Sequence, residues 1–208
     1  MFFLFQVIII SLNDLSDDTV IFISGTPCTG KTTVAIELND YLCDNGFDSN
    51  LIKINDFAIE NDLVLGEDPD KFYKVIDIDK LNNCLNREIN SFSSNDTEGP
   101  IKVLIVEGHL SHLCEGADKM IVLRLNPSIL EERLKERNYS KSKIEENLES
   151  EALAVCSVEA YDIYGEKAHE IDVSDKSIEE TRDLILEIVN GNLESPLGSI
   201  DFMEWFLK

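Results

Sequence analysis

The feature that most constrains this chain is a glycine-rich stretch between a predicted strand and a predicted helix. It reads Gly25-Thr26-Pro27-Cys28-Thr29-Gly30-Lys31-Thr32-Thr33, with the spacing of glycine, four residues, glycine, lysine and threonine. A β-branched and aromatic run precedes it at residues 20–23, and apolar residues at helical spacing follow it through residues 32–43. In that arrangement backbone N–H groups and a helix N-terminus surround phosphate oxygens. The sequence therefore predicts a phosphate-binding loop, for which an ordinary strand-to-helix turn is the rarer alternative.

The loop pattern assigns a role to several of its residues. The Lys31 ammonium is placed to reach the β- and γ-phosphates of a nucleotide, and the Thr32 hydroxyl is placed to hold Mg²⁺. Gly25, the first residue of the loop, is also predicted to bind nucleotide.

The remainder of the chain alternates between strand and helix patterns. Further apolar runs predict strands at residues 51–54, 101–106, 119–125 and 171–173, and helical patterns occupy residues 77–92, 140–160, 177–189 and a segment from Pro127. This alternation predicts an α/β fold of the P-loop NTPase type, with a doubly wound, parallel, five-stranded sheet and helices on both faces. The stretch after residue 54 lacks a strong period and is expected to be irregular and mobile. Core packing is the simpler interpretation of the aromatic residues in 192–208.

Polar side chains follow the predicted strands, where ligands bind in such folds. Glu107 closes a central strand and is a predicted metal ligand together with Thr32. His109 either orients an attacking water or acceptor hydroxyl, or forms a structural hydrogen bond. Asp56 follows the second strand, where a pocket for the acceptor would begin.

Two arginines on one predicted helix are candidates for phosphate contacts. Arg133 and Arg137 are four residues apart and share a helix face, so they either clamp phosphates as part of a closing lid or pair with neighbouring glutamates. Arg124 ends a strand, and it either points at the site or caps the strand.

Composition limits the partners and the compartment. The chain has 41 acidic and 18 basic residues and a net charge of −23. This charge disfavours non-specific binding of nucleic acid and is compatible with a basic partner or simply with a solvated surface. The five cysteines are widely spaced without a Cys-x-x-Cys pair, which predicts a reducing, cytoplasmic location and no zinc site.

The first ten residues are almost entirely apolar, but they are too few to span a bilayer, which needs about twenty. No basic residue precedes Lys31, so the charged start of a signal peptide is missing. We therefore expect residues 1–18 to be an extension outside the fold, with a membrane-associating leader as the alternative, and residues 19–208 to form one domain without membrane contact.

The chain resembles the atypical adenylate kinase family of archaea and eukaryotic nuclei, whose members also serve as ribosome-assembly ATPases. The resemblance covers about residues 20–208. Besides the loop, it rests on Val106-Glu107-Gly108-His109-Leu110-Ser111-His112, Leu123-Arg124-Leu125-Asn126-Pro127, Leu130-Glu131-Glu132-Arg133-Leu134, Arg137-Asn138-Tyr139-Ser140, and Glu145, Asn147, Glu149 and Glu151.

This resemblance implies phosphoryl transfer from Mg-ATP to AMP, giving two ADP. It also implies slower ATP hydrolysis linked to small-ribosomal-subunit maturation, through a basic small-subunit ribosomal protein. Catalytic roles are implied for Lys31, Glu107, His109 and Arg137, and ATP contacts for Cys28, Gly30, Lys31, Thr32, Thr33 and Arg137. An acceptor-binding insert is implied at about residues 53–80 and a lid at about 136–146. An ATP-switched assembly factor with incidental kinase activity, and a small-metabolite kinase of the same fold, remain alternatives.

The chain departs from the family pattern at two positions. Cys28 stands where the family usually has glycine, which would cost affinity if the loop needs positive φ there. Asn138 replaces another common glycine, and asparagine tolerates left-handed geometry.

Overall fold

The structure is a computed structural model that describes residues 15–67, 74–92 and 99–207. Its strands are β1 (Thr19–Ser24), β2 (Asp48–Lys53), β3 (Val64–Glu67), β4 (Lys74–Ile76), β5 (Lys102–Glu107), β6 (Lys119–Arg124) and β7 (Ala168–Asp172). Its α-helices are α1 (Lys31–Asp44), α2 (Ile54–Glu60), α3 (Ile78–Phe92), α4 (Pro127–Glu136), α5 (Lys141–Ala152), α6 (Val155–Tyr164) and α7 (Ile178–Val189). Short 3₁₀ turns occupy Ser111–Leu113, Gly165–Lys167 and Met203–Leu207.

A five-stranded parallel sheet in the order β2-β5-β1-β6-β7 forms the centre of the molecule, and β3 pairs antiparallel with β4 beside it. Alternate side chains of β1 lie on opposite faces of the sheet. Ile21 and Ile23 pack in one apolar cluster, and Val20 and Phe22 pack in the other. Helices α1, α4, α5 and α7 cover the first cluster, while α2, α3 and α6 cover the second. The predicted doubly wound P-loop fold is thereby confirmed.

The parallel sheet brings the predicted site residues to one edge. Ile23, near the end of β1, lies in register with Glu107 at the end of β5, and Lys53 at the end of β2 lies opposite the same residue. The loop after β1, the turn after β5 and the start of α2 therefore lie side by side, as the strand-end rule predicts.

The strand predicted at residues 51–54 is present as β2, but its predicted end is wrong, because β2 ends at Lys53 and α2 begins at Ile54. Ile54 is completely buried, since it packs into the core cluster beneath the helix rather than in the sheet. The stretch expected to be irregular contains α2 and the β3–β4 pair, while residues 68–73 lie outside the described residues. Assignment of residues 53–80 as an insert stays a prediction.

The helical stretch predicted over residues 140–160 is divided into two helices, α5 and α6. Ala154 adopts a left-handed conformation with φ 55° and breaks the helix. The break lets Ile144 and Leu148 pack on one face of the sheet and Cys156 and Ala160 on the other. The boundaries of the lid at 136–146 stay a prediction.

The fold begins earlier than residue 19. Leu15 is buried in the core, and the Asp18 carboxylate accepts a hydrogen bond from the Lys102 backbone N–H at 2.8 Å. The expectation that residues 15–18 lie outside the fold is therefore wrong, and residues 1–14 lie outside the described residues. In the part of the chain that the structure describes, no helix is both long and apolar enough to cross a membrane.

Candidate active site

The phosphate loop joins β1 to α1 through tight backbone geometry. Gly25 has φ 140°, and a Cβ atom there would lie 2.4 Å from the Leu123 carbonyl oxygen, so only glycine fits. Gly30, at φ 104°, is the N-cap residue that immediately precedes α1. Cys28 has φ 71°, so the position where the family usually has glycine does require positive φ, and a side chain there carries the cost of a left-handed backbone.

Lys31 is the best-placed cation of the loop. It is only 8% exposed, and its Nζ donates a hydrogen bond to the Thr26 carbonyl oxygen at 2.8 Å. Burial lowers the pKa of Lys31, while the carboxylates of Glu107 and Glu151 act in the opposite direction. The ammonium is thus held inside the loop, at the lining of the cleft where phosphates would enter.

The two predicted metal ligands contact each other. The Thr32 hydroxyl donates to Glu107 Oε1 at 3.1 Å. Burial raises the pKa of Glu107, whereas the Thr32 hydrogen bond and the Lys31 charge lower it. A hydroxyl and a carboxylate are hard oxygen donors, and Mg²⁺ in nucleotide sites takes one or two such protein ligands besides water and phosphate. These residues therefore fit Mg²⁺.

His109 lies between the loop and the cleft. Its Nδ1 is 3.1 Å from the Gly25 carbonyl oxygen, and because a carbonyl only accepts, Nδ1 carries the proton. Burial, with help from the Lys31 charge, lowers the pKa of His109 to about 4. The imidazole is therefore neutral near pH 7, and Nε2 keeps its lone pair. His109 forms the structural hydrogen bond to the loop and also lines the cleft, and its role in orienting a water or an acceptor hydroxyl stays a prediction.

Arg133 in α4 and Arg137 just after it have different surroundings. Arg133 is half-buried and donates from Nη1 to the Cys28 carbonyl oxygen at 3.3 Å, so it supports the loop backbone. Arg137 is exposed, follows the last residue of α4 and lines the cleft. In the described residues neither arginine forms an ion pair with the neighbouring glutamates, whereas Lys135 pairs with Glu131.

The cleft has a volume of about 850 Å³ and extends from the loop to α2 and the β3–β4 pair. Thr33 and Cys28 line its loop side. Its far side is lined by Asn55, Ile59, Val64, Lys74, Val75, Ile76 and Ile78. Asp56 faces a separate depression beside Phe57 and Glu60, because one residue along α2 turns the side chain by about 100°. The structure thus places Asn55, not Asp56, in the cleft.

Comparison with known proteins supplies the family. The model of a family described as an AAA domain matches residues 21–154. A protein of Methanothermobacter thermautotrophicus named "Putative adenylate kinase" is 40% identical over 188 residues, which cover 90% of this chain and 99% of the relative. The chain belongs to this archaeal family. Proteins of the same name from Methanococcus maripaludis and Pyrococcus furiosus are 38% and 36% identical, over 89% and 88% of this chain and 96% and 91% of theirs. A solved thymidylate kinase from Candida albicans superposes with a TM-score of 0.47 at 15% identity, over 85% of this chain and 92% of that one.

A group of buried charges lies behind the loop, and the sequence did not predict that its members pair with one another. Arg124 neither points at the cleft nor caps its strand. It lies 1% exposed between the carboxylates of Glu151 and Glu170. The available signal was a charged residue in a buried part of a strand, since Arg124 ends the apolar run of β6 and Glu170 is the middle residue of β7.

Proposed function

We propose that the protein is an adenylate kinase that transfers the γ-phosphoryl group of Mg-ATP to AMP. The proposal rests on one observation: Lys31, Thr32 and Glu107 lie together on the loop side of a cleft, and this cleft continues to α2 and the β3–β4 pair. A cleft of this extent has room for a donor at the loop and an acceptor on the far side. The names of the archaeal relatives support the same reaction.

Phosphoryl transfer requires positioning and charge stabilisation more than covalent chemistry by the protein. An oxygen of the AMP phosphate attacks the γ-phosphorus, the bond to the β–γ bridging oxygen breaks, and its electrons stay on the ADP that leaves. Lys31 exchanges the Thr26 carbonyl for phosphate oxygens, and Arg137 faces the negative charge from the end of α4. When bound, Mg²⁺ neutralises phosphate charge, and Thr32 and Glu107 are the residues that would hold it.

The acceptor side is apolar with polar ends. Val64, Val75 and Ile76 offer a surface for a base, while Asn55 and Lys74 offer polar contacts for the acceptor. We therefore propose Asn55 in place of Asp56 as a substrate-binding residue. Because an AMP phosphate oxygen needs no deprotonation near pH 7, transfer to AMP requires no general base.

Hydrolysis of ATP is a second proposed activity, and it differs in its proton balance. The attacking water loses its proton to the phosphate that forms, and neutral His109, which lines the cleft with a free Nε2 lone pair, would orient this water by accepting a hydrogen bond from it. We propose that this slower reaction is linked to small-ribosomal-subunit maturation through a basic ribosomal protein, which the net charge of −23 favours. All five cysteines lie within the described residues and are free, in keeping with the proposed reducing cytoplasm.

A coupled assay with Mg-ATP tests both activities. Wild-type protein should produce two ADP per AMP consumed, with saturation by AMP and weaker response to other monophosphates. Lys31→Ala should lose at least about a thousandfold in turnover, because the transferring group loses its main cation. His109→Gln should slow hydrolysis while sparing transfer to AMP. Slow hydrolysis that no monophosphate stimulates would reject the kinase and favour the ATP-switched assembly factor, whereas transfer to another metabolite alone would favour the third alternative.

A further inference from the structure

A buried charge network of Arg124, Glu151 and Glu170 lies behind the phosphate loop. The three side chains are 1%, 2% and 0% exposed. Arg124 donates from Nε to Glu151 Oε1 at 2.9 Å and from Nη1 to Glu170 Oε2 at 3.0 Å, and its Nη2 donates to the Glu151 carbonyl oxygen at 2.7 Å. The network thus ties the end of β6 to α5 and to β7 inside the protein.

Glu151 carries this network into the loop. The Thr26 hydroxyl donates to Glu151 Oε2, while Oε1 also accepts from the Leu125 backbone N–H at 2.9 Å. Both carboxylate oxygens are therefore engaged, one by the loop and the other by β6 and its end. A buried carboxylate that accepts three hydrogen bonds is held in one orientation, so the hydroxyl bonded to it is held as well.

The Thr26 peptide is the point at which the loop holds its lysine. The Thr26 carbonyl oxygen accepts from Lys31 Nζ at 2.8 Å and from the Thr29 hydroxyl at 2.9 Å. Pro27 follows and restricts the backbone of Thr26, so the carbonyl direction is constrained from both sides. A rotation of this peptide would remove the acceptor of Lys31 and displace the N–H groups that follow.

We propose that Glu151 is a positioning residue for nucleotide binding, which holds Thr26 so that the loop and Lys31 are preorganised for phosphate. The proposal rests on nucleotide binding at this loop, as under the proposed function, but not on the identity of the acceptor. Preorganisation matters because a loop that is ordered only on binding spends part of the binding free energy on that ordering.

The C-terminal segment completes the network at its far end. Glu170 Oε1 accepts from the Ile200 backbone N–H at 2.7 Å and from the Ser199 hydroxyl at 3.3 Å. The Phe202 ring lies 5.3 Å from the Arg124 guanidinium carbon. Since these contacts fix Glu170 and Arg124, residues 199–202 are connected to the loop through Arg124 and Glu151.

The test compares Thr26→Val with Thr26→Ser. Valine keeps the β-branched shape and loses the hydroxyl, whereas serine keeps the hydroxyl. Thr181→Val is the matched control, because Thr181 is 1% exposed and its hydroxyl donates to the Ser177 carbonyl oxygen in α7, away from the cleft. The dissociation constant of Mg-ATP is measured by isothermal titration calorimetry without acceptor, under conditions in which circular dichroism shows each variant to be folded.

Thr26→Val should bind Mg-ATP about tenfold more weakly, the size expected when a hydrogen bond to a charged group is lost. Thr26→Ser should stay within about threefold of wild type, and Thr181→Val should bind normally even if its melting temperature falls. Wild-type affinity in folded Thr26→Val, or equal weakening in Thr181→Val or Thr26→Ser, would overturn the proposal. Tight binding of Mg-ATP by a wild-type protein that fails to phosphorylate AMP would reject only the proposed function, whereas absence of Mg-ATP binding would reject both.

Discussion

Replacement of Arg124 by methionine is expected to be among the most damaging single changes outside the cleft. Methionine fills a similar volume and keeps the apolar stem, so the change removes mainly the charge and its donors. Two carboxylates, at Glu151 and Glu170, would then remain in the interior without their cation. Neither is more than 2% exposed, so water cannot replace the lost partner without opening the structure.

Breaking a buried ion pair from one side costs about 3–5 kcal/mol of unfolding free energy. Arg124 contacts two carboxylates and a carbonyl, so we expect the Arg124→Met variant at the upper part of that range. For a domain of this size, each kcal/mol lowers the melting temperature by about 2–4 °C, which gives a fall of roughly 10–20 °C.

Urea unfolding and a thermal melt measure this loss. The control is Lys135→Met, which breaks the exposed ion pair with Glu131 and should change the unfolding free energy by less than about 0.5 kcal/mol. An average substitution changes the unfolding free energy by about 1 kcal/mol. If the unfolding free energy of Arg124→Met differs from the wild-type value by no more than that, the carboxylates of Glu151 and Glu170 are compensated by something other than this arginine, and the reasoning fails.

Three further predictions follow from the geometry. Glu107→Gln should lower Mg²⁺-dependent turnover by about 10- to 100-fold, because it removes the carboxylate that would hold the metal together with Thr32; steady-state rates measure this. Cys28→Gly should bind Mg-ATP more tightly and have an unfolding free energy about 0.5–1 kcal/mol higher, because glycine adopts φ 71° without the steric cost of a side chain. Cys28→Ala keeps a Cβ atom and should show neither gain. Calorimetry measures the binding, and urea unfolding measures the stability. Burial lowers the folded-state pKa of His169, so the unfolded chain binds more protons than the folded protein below about pH 6.5, and stability falls with acidification. His169→Leu should therefore reduce the slope of unfolding free energy against pH by up to about 1.4 kcal/mol per pH unit. An unchanged slope would contradict the lowered pKa of His169.

Local sequence was enough to predict the parts of the site that depend on neighbouring residues. The loop from Gly25 to Thr33 is defined by its own spacing, and Glu107 was found because an apolar run ends there. The sequence could not predict which residue at the start of α2 faces the cleft. Asn55 and Asp56 are both polar, and only the position at which α2 begins decides between them. The predicted catalytic roles of Lys31, Glu107, His109 and Arg137 stay predictions, as does the predicted phosphate contact of Arg133.

The sequence did not predict the contacts between side chains that are far apart in the chain. In a chain with 41 acidic residues, Glu151 and Glu170 look like any other solvated carboxylate, and their pairing with Arg124 joins positions 27 and 46 residues apart. The break at Ala154 was missed because alanine favours helix, and the left-handed turn is imposed by packing on both faces of the sheet.

The contacts of Glu170 with residues 199 and 200 also set an order of events during synthesis. Glu170 is made 30 residues before Ile200, which at a rate of about 5–20 residues per second corresponds to roughly 1.5–6 s. During that interval every strand of the central sheet has been translated, yet the carboxylate still lacks the two donors of the C-terminal segment. The network behind the loop therefore gains its last two hydrogen bonds from a segment that is translated after the whole sheet, and it is complete only when residues 199 and 200 reach Glu170.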